Sequence, residues 1–264
     1  MMGTVDGLVD IHSHLLPGID DGPEDMAGSL EMARSALASG TARLAATPHL
    51  RSDFLGVNVR EIAGHVARVQ SELEAAGIEL QVVCGAEVSL LWALEASEEE
   101  LRLASYGQLG HDLLVETPED VSMLEQLLYQ VRVHGFRVIL AHPERSAVFR
   151  QDPSRLVRLA EQGVLLQVNA DALLAPPRSS TRRLAERLCR DGLAQVVASD
   201  GHRGREWRPV DRLAPAVEVL SGLVGPDRAR WMARTAPAAI LDGAPLPPAP
   251  EVPDGRPFWW RWRF

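Results

Sequence analysis

The chain has 264 residues and a formal net charge of −9, with 46% hydrophobic and 24% charged residues. This length and composition are typical of one large globular domain and exclude a disordered or fibrous protein. The acidic charge argues against a nucleic-acid-binding surface, because contacts with the phosphate backbone need clustered cations. All 27 basic residues are arginines, so Schiff-base chemistry and a P-loop lysine are excluded.

Short apolar runs alternate along the chain with longer segments of helical period. The predicted strands are residues 8–12, 42–49, 79–88, 111–117, 136–144, 164–171 and 194–202. The predicted helices are residues 24–39, 58–76, 119–134, 153–162, 179–191 and 209–221, with apolar side chains spaced by three and four. This βαβα order predicts a parallel sheet covered by helices, either doubly wound or closed into a barrel.

The composition changes after residue 242, which divides the chain into a body, residues 1–242, and a tail, residues 243–264. Residues 243–257 are rich in proline and are expected to form an extended linker. The segment FWWRWRF, residues 258–264, either packs on a hydrophobic patch of the same or a neighbouring subunit, or contacts a membrane interface or a membrane-bound partner. The first alternative is favoured, because seven residues bind a membrane weakly.

Features of the sequence that report on cellular location agree with one another. The two cysteines, Cys84 and Cys189, lie far apart, so a reducing environment is the simpler explanation. The start, MMGTVDGLVDIH, lacks the basic and apolar parts of a signal peptide. No run approaches the length of about 18 apolar residues that a membrane span needs. We therefore expect a cytoplasmic protein without a transmembrane segment.

Six of the seven predicted strands end in a side chain that commonly binds metals. These side chains are His12, His14, His49, Glu87, Glu116, His142, Asp200 and His202. The carboxyl ends of barrel strands surround one mouth, so the recurrence favours a barrel over an open sheet. For one glutamate a helix cap or a buried salt bridge would be the better explanation, but a metal site better explains the whole set.

The spacing of His12 and His14 places both imidazoles on one face of a strand, and Asp200 and His202 have the same spacing. An HxH pair is a weak signal by itself, and a polar strand exit with solvent-facing histidines is the alternative. The ligand-type residues that end the other strands favour the interpretation of His12 and His14 as metal ligands.

Five motifs together resemble the polymerase and histidinol phosphatase (PHP) superfamily: DIHSHLLPGIDDG, SLEMARSALASGTARLAATPH, GAEV, AHPER and ASDGH. The similarity is greatest to its bacterial manganese-dependent protein-tyrosine phosphatases of capsule and exopolysaccharide operons, the CpsB/CapC type. It runs from about residue 8 to residue 241. It implies an α/β fold, namely a distorted (β/α)7 barrel with three divalent metal ions. Manganese is the first choice, and iron or zinc would accept the same ligand types.

The resemblance also implies which residues hold each ion. One ion would be held by His12, His14, Glu87 and Asp200. Glu87 would bridge to a second ion, completed by Glu116 and His142. The third ion would be held by Asp21, His49 and His202. Asp20 is expected to serve only in the turn.

Two phosphate-binding arginines are implied as well, Arg145 in AHPER and Arg208 in REWRP. Arg203 or Arg205 could replace Arg208, because the loop after Asp200 is one residue longer than the family pattern. We count Asp200 and His202 with these arginines as catalytic residues. A hydroxide that bridges two ions would attack phosphorus, and His202 or a metal-bound water would protonate the leaving group.

The function implied by the resemblance is hydrolysis of phosphotyrosine on a protein. The expected substrate is the tyrosine-rich tail of a membrane-associated bacterial polysaccharide-assembly kinase, and a homo-oligomer is left open. The alternatives are a small-molecule phosphatase of the histidinol-phosphatase type and a non-enzymatic, metal-stabilised interaction module. A thiol-dependent phosphatase is not supported, since neither Cys84 nor Cys189 is followed six residues later by an arginine.

Overall fold

Strands and helices alternate along the chain in a computed structural model that describes residues 7–118, 123–204 and 207–252. The predicted mixed α/β fold is confirmed. The strands are β1 (Leu8–Asp10), β2 (Thr41–Ala46), β3 (His49–Leu50), β4 (Gln81–Cys84), β5 (Glu87–Val88), β6 (Asp112–Glu116), β7 (Arg137–Ala141), β8 (Leu165–Asn169) and β9 (Ala194–Ala198).

Twelve α-helices lie in these ranges. They are α1 (Met26–Ala38), α2 (Ile62–Ala75), α3 (Leu90–Glu95), α4 (Glu98–Ala104), α5 (Leu124–Val133), α6 (Ala147–Gln151), α7 (Ser154–Glu161), α8 (Ala170–Leu174), α9 (Ser180–Arg190), α10 (Leu213–Val224), α11 (Pro226–Arg230) and α12 (Ala236–Leu241). A π-helical segment, Trp231–Thr235, connects the last two. None of these helices is both long enough and apolar enough to cross a bilayer.

All the strand pairs are parallel, and they form two sheets with the orders β1-β2-β4 and β3-β5-β6-β7-β8-β9. Only two residues separate β2 from β3, and only two separate β4 from β5. Because β2 pairs with β4 and β3 pairs with β5, each couple continues the same path. The sequence predicted each couple as one strand, and the structure interrupts them at Thr47–Pro48 and Gly85–Ala86.

Hydrogen bonds join the segment after β1 to the segment after β9. Ser13 and Gly201 form a parallel bridge, and the Asp200 amide donates to the His12 carbonyl at 2.9 Å. The His14 amide donates to the Gly201 carbonyl at 2.7 Å. These bonds place the segment after the last strand beside the segment after the first strand, which is compatible with the predicted barrel.

The interior is apolar because helices cover the parallel strands. Four consecutive residues of β7, Val138–Ala141, are buried, as expected where both faces of a parallel strand are enclosed. Helix α1 begins after Asp25, whose side chain accepts a hydrogen bond from the Gly28 amide, and it packs Met32 and Ala36 into the core.

Several helices differ from their predicted ranges. Helices α3, α4, α6, α8, α11 and α12 were not predicted, and α10 ends three residues later than expected. Helix α5 begins at Leu124, and residues 119–122 of the predicted helix lie outside the described residues. The segment FWWRWRF also lies outside them, so both alternatives for it stay predictions. Part of the predicted linker contacts the body, since Trp231 Nε1 donates to the Pro247 carbonyl at 3.2 Å.

Candidate metal centre

The nine predicted metal ligands lie at the carboxyl ends of the strands. The structure brings their ligand atoms into overlapping groups in which all atoms lie within 4.8 Å of one another. The groups are His14, Asp21, His49 and His202; His12, His14 and Asp200; His12, Glu87 and His142; and His49, Glu87 and Glu116. Shared members link the groups into one cluster, which we call the metal centre.

Glu87 lies in the middle of the metal centre and is 1% exposed. Its Oε2 atom is 3.4 Å from His12 Nε2, 3.5 Å from His14 Nε2 and 3.0 Å from His49 Nδ1. Its other oxygen, Oε1, is 2.8 Å from His142 Nε2. One carboxylate therefore faces four imidazoles, the arrangement expected of a ligand shared between two ions.

Asp200 and Asp21 approach different histidines of the metal centre. Asp200 Oδ1 lies 3.3 Å from His12 Nε2 and 3.7 Å from His14 Nε2. Asp21 Oδ1 lies 3.4 Å from His202 Nε2 and 3.5 Å from His49 Nε2. The opening sequence DIHSHLLPGIDDG thus contributes side chains to more than one ligand group.

Glu116 groups differently from the predicted second set. Among the described residues it lies with His49 and Glu87, and no group joins it to His142. Its Oε1 atom accepts a hydrogen bond from Arg51 at 2.7 Å, and this ion pair holds the carboxylate on the His49 side of the cluster. The assignment of ligands to individual ions therefore stays a prediction.

Several buried polar atoms of the metal centre have no hydrogen-bond partner and are therefore available to a divalent cation. They include His12 Nε2, His14 Nε2, His49 Nδ1, Glu87 Oε2, Asp21 Oδ1 and Asp200 Oδ1. Each such atom costs about 1–3 kcal/mol when it is buried unsatisfied. Six of them converge on one place, and mixed imidazole and carboxylate sets suit manganese, iron and zinc. The residues fit divalent ions.

Asp20 orients His14, a role that its position in the sequence did not reveal. Asp20 Oδ2 lies 2.7 Å from His14 Nδ1, and the same oxygen accepts the His49 amide at 3.1 Å. Because a carboxylate only accepts, His14 Nδ1 carries a proton and donates it to Asp20, and Nε2 faces the centre. Asp20 also accepts the Gly22 amide, so the expected turn role is real but incomplete.

A chain of amide side chains connects His12 with Asp200. The Nδ1 atom of His12 lies 2.9 Å from Gln167 Oε1, and Gln167 Nε2 donates to Asn169 Oδ1 at 2.7 Å. Asn169 Nδ2 then donates to Asp200 Oδ2 at 2.7 Å. These contacts fix the His12 ring with Nε2 toward the centre, and ligand-orienting bonds of this kind commonly tune metal affinity. Both amides are buried.

His202 has one ring nitrogen available to the centre. Its Nδ1 atom lies 2.7 Å from the Asp200 carbonyl oxygen, so Nδ1 donates and Nε2 faces Asp21. Its ring meets the half-exposed Trp207 edge to face, with 4.7 Å between the centroids. A metal-ligand role and a proton-donor role would compete for the same Nε2 atom.

The two predicted phosphate-binding arginines both point at Asp200. The Oδ2 atom of Asp200 accepts from Arg145 NH1 at 3.0 Å and from Arg208 NH1 at 3.1 Å. Arg203, the alternative to Arg208, instead donates to the Asp21 carbonyl and lies 3.5 Å from Glu24. Arg205 lies outside the described residues. The geometry favours Arg208.

Three residues of the site have left-handed backbone conformations. The φ angles are 38° at His142, 52° at Asp200 and 47° at Arg208. Such conformations are uncommon for residues other than glycine, although aspartate and histidine adopt them more often than most, and they cost about 1–3 kcal/mol. They turn the chain sharply after β7 and β9, which aims these side chains into the mouth.

Two carboxylates of the centre, those of Glu87 and Asp200, are held in the charged form. Burial alone would raise the pKa of Glu87, but the neighbouring histidines, His12 first, hold that pKa well below its usual range. Burial likewise opposes ionisation of Asp200, and His12 and His142 outweigh it, so the pKa is lowered. Ionised carboxylates are the form that binds metals.

Glu144 is a buried carboxyl behind the metal centre, in the AHPER motif. Burial raises its pKa to about 7, although its Oε1 atom accepts the Asn169 amide at 2.9 Å. Its Oε2 atom has no hydrogen-bond partner. A carboxyl in this state changes charge close to neutral pH.

The match to known families agrees with this geometry. The family model for capsular polysaccharide synthesis, CpsB/CapC, matches residues 8–242. The chain belongs to the CpsB/CapC family. This match covers nearly the whole predicted body of the chain.

Named proteins with similar sequences are tyrosine-protein phosphatases. The chain is 32% identical over 197 residues to tyrosine-protein phosphatase YwqE of Bacillus subtilis, covering 74% of this chain and 77% of YwqE. It is 25% identical over 234 residues to tyrosine-protein phosphatase CpsB of Streptococcus agalactiae, covering 85% and 94% of the two chains. The predicted family resemblance is confirmed.

Solved structures with a similar fold include metal-dependent tyrosine phosphatases. One chain from the crystal structures of YwqE from Bacillus subtilis and CpsB from Streptococcus pneumoniae, described as metal-dependent tyrosine phosphatases, superposes with a TM-score of 0.80 at 29% identity. The match covers 94% of this chain and 100% of that chain. The phosphotriesterase homology protein of Escherichia coli matches with a TM-score of 0.63 at 14% identity over 89% and 99%, a likeness of fold alone.

Proposed function

We propose that this protein is a metal-dependent phosphatase that hydrolyses phosphotyrosine on a protein. The observation that carries the proposal is the convergence of unpartnered imidazole nitrogens and carboxylate oxygens on one mouth, with Arg145 and Arg208 beside them. The 32% identity to the tyrosine-protein phosphatase YwqE supports the substrate class. The complete ligand set argues against a degenerate interaction module.

Nine side chains would hold the divalent ions. They are His12, His14, Asp21, His49, Glu87, Glu116, His142, Asp200 and His202. Bound divalent ions supply a lowered pKa for water and positive charge for the phosphate oxygens. We propose three ions and, in the cell, manganese. Because Nδ1 of His202 is engaged by the Asp200 carbonyl, we propose the ligand role for its Nε2 atom.

The two arginines would bind and orient the phosphate group. Arg145 and Arg208 approach the same Asp200 oxygen from their own strand ends, and each has further N–H groups for phosphate oxygens. The centre itself is buried, which strengthens these charge interactions. A tyrosine leaving group has a pKa of about 10 and needs less protonation than an alkyl alcohol. The reaction therefore needs less help from an acid than hydrolysis of an alkyl phosphate does.

The proposed substrate is the tyrosine-rich tail of a bacterial polysaccharide-assembly kinase that is associated with the membrane. The name of the family, capsular polysaccharide synthesis, supports this biological setting. We propose a cytoplasmic location, where the protein would meet this substrate. Assembly into a homo-oligomer is compatible with the proposed activity. The acidic net charge of −9 disfavours nucleic acid as a substrate.

A comparison of substrates tests the proposal. The purified full chain is incubated with a phosphotyrosine peptide or with histidinol phosphate, first with added Mn²⁺ and then with excess chelator. We expect release of phosphate from the peptide with Mn²⁺ and its loss on chelation. Hydrolysis of histidinol phosphate alone would overturn the substrate, and activity that survives full chelation would overturn metal dependence.

A further inference from the structure

A groove of about 800 Å³ opens beside the metal centre. Its walls are the residues that follow β3, the start of α3 and the residues that follow β6, including Phe54, Trp92 and Thr117. All three walls thus follow the carboxyl ends of neighbouring strands, on the same side of the fold as the predicted ligands.

The groove and the metal centre share atoms and contacts. Glu116 lines the groove and belongs to the ligand group with His49 and Glu87. Phe54, which forms one wall, stacks on the His49 ring with 5.1 Å between centroids and 10° between the planes. A substrate whose phosphate lies at the centre would therefore extend directly into the groove.

The surface of the groove is apolar at its rim. Leu55 is 89% exposed and Leu91 is 71% exposed, and they stand on different walls. Trp92 is half-buried and packs against the hydrophobic core. Large exposed apolar side chains grouped beside a polar site are typical of an interaction surface.

The charges of the groove favour an apolar occupant over an acidic one. Arg51 Nε and NH2 both donate to the Asp53 carboxylate at 2.6 Å, and NH1 donates to Glu116. The single arginine is thus already used by two carboxylates, and exposed Glu95 adds a third negative charge to the lining. An acidic segment would be repelled here.

We infer that this groove binds the polypeptide next to the substrate phosphotyrosine, with an apolar side chain seated between Leu55 and Leu91 against Trp92. The inference rests on the proposed function, because it takes the phosphotyrosine to lie at the metal centre. It adds a sequence preference: apolar residues beside the phosphotyrosine are favoured, and acidic residues are disfavoured. The preference would select among the tyrosines of a substrate protein.

The experiment measures binding of labelled peptides to the full chain with Mn²⁺ by fluorescence anisotropy. The peptides carry a non-hydrolysable phosphonate analogue of phosphotyrosine and have leucine, serine or glutamate at the flanking positions. The test variant combines Leu55→Ser and Leu91→Ser. The matched control is Leu109→Ser, another exposed leucine, which precedes β6 at the opposite end of the strands.

For the unchanged protein we expect the leucine peptide to bind about tenfold more tightly than the serine peptide, a difference of about 1.4 kcal/mol in binding free energy. The glutamate peptide should bind more weakly than either. In the double variant the leucine-to-serine ratio falls to within about twofold. The control variant keeps the full ratio. A ratio that persists in the double variant, or its absence in the unchanged protein, overturns the inference.

Two further measurements test the proposed function separately from the groove and test whether the groove is a subunit interface. Hydrolysis of the corresponding phosphotyrosine peptides is measured alongside: binding preference without any hydrolysis would overturn the proposed function and leave the groove assignment standing. Light scattering reports the oligomeric state, and conversion of a dimer to a monomer in the double variant would assign the groove to a subunit interface and overturn the inference.

Discussion

His14 Nδ1 lies 2.7 Å from Asp20 Oδ2, so an aspartate six residues away decides which nitrogen of His14 faces the metal centre. The pKa of His14 shows how strongly the two groups interact: burial would lower it, but the Asp20 carboxylate and Glu87 hold it well above its usual range. The opening motif therefore contains both ligand-type residues and a residue that positions one of them.

Removal of the Asp20 carboxylate is expected to weaken metal binding. In Asp20→Ala the His14 ring loses the acceptor that fixes its tautomer, and such losses cost about 10–100-fold in metal affinity. Competition of Mn²⁺ with a fluorescent chelator measures the change. The control, Asp25→Ala, removes the exposed N-cap of α1 and should cost about 1 kcal/mol of stability without a change in affinity. Equal Mn²⁺ affinity of Asp20→Ala and the unchanged protein would refute the positioning role.

The second phosphate-binding arginine can be identified by comparing two arginines of one loop. Arg208→Ala should lower kcat/KM for a phosphotyrosine peptide by about 100-fold, because a charged donor at the phosphate is lost. Arg203→Ala should change it by less than about threefold, because Arg203 is half-exposed and contacts Glu24 and the Asp21 carbonyl. If Arg203→Ala lowers kcat/KM more than Arg208→Ala does, the second phosphate-binding residue is Arg203 and not Arg208.

Truncation of Asp21 tests the partition of ligands among ions. The Oδ1 atom of Asp21 faces His202 and His49, whereas Glu87 and Asp200 face His12. Asp21→Ala should therefore bind one ion fewer per chain and keep the others. Mass spectrometry of bound metal after desalting gives the number. Loss of every ion, or of none, would contradict the partition.

Glu144 should make stability depend on pH. Its folded-state pKa of about 7 exceeds the unfolded value, so its contribution to stability is complete below about pH 4.5 and is lost as the pH rises through about 7. In Glu144→Gln this loss is absent, and the variant should gain on the order of 2–3 kcal/mol relative to the unchanged protein between pH 5 and pH 8.

Urea unfolding of both proteins in chelator, at several pH values, measures that difference in the free energy of unfolding. The amide of Glu144→Gln retains an oxygen that can accept the Asn169 amide proton. A constant difference between the two proteins from pH 5 to pH 8 would show that Glu144 does not titrate in this range.

The strand ends of the site could be predicted because their signal is local. An apolar run followed by His12 and His14, or by Glu87, shows both the strand and the polar side chain within a few residues. The mixed α/β fold follows from the same alternation. The long predicted strands 42–49 and 79–88 were interrupted where proline or glycine occurs, a boundary that periodicity alone does not locate.

The residues that support the ligands could not be predicted in the same way. Gln167 lies 155 positions from His12, and Arg51 lies 65 positions from Glu116, so only the folded chain shows that they meet. Gln167 and Asn169 alternate within the apolar run of β8, which was a detectable sign of a polar face. Helices α3 and α4 were missed because each is shorter than the windows in which helical period is visible.

Phosphate release during a metal titration shows whether hydrolysis depends on ions at the metal centre. The chelator-treated full chain is mixed with a phosphotyrosine peptide, and Mn²⁺ is added stepwise, in parallel with the variant Asp200→Asn. We expect no release before Mn²⁺, release that rises with occupancy of the metal centre, and at least about a 1,000-fold lower rate in the variant. A full rate in chelator, or an unchanged rate in Asp200→Asn, would show that hydrolysis does not depend on this metal centre.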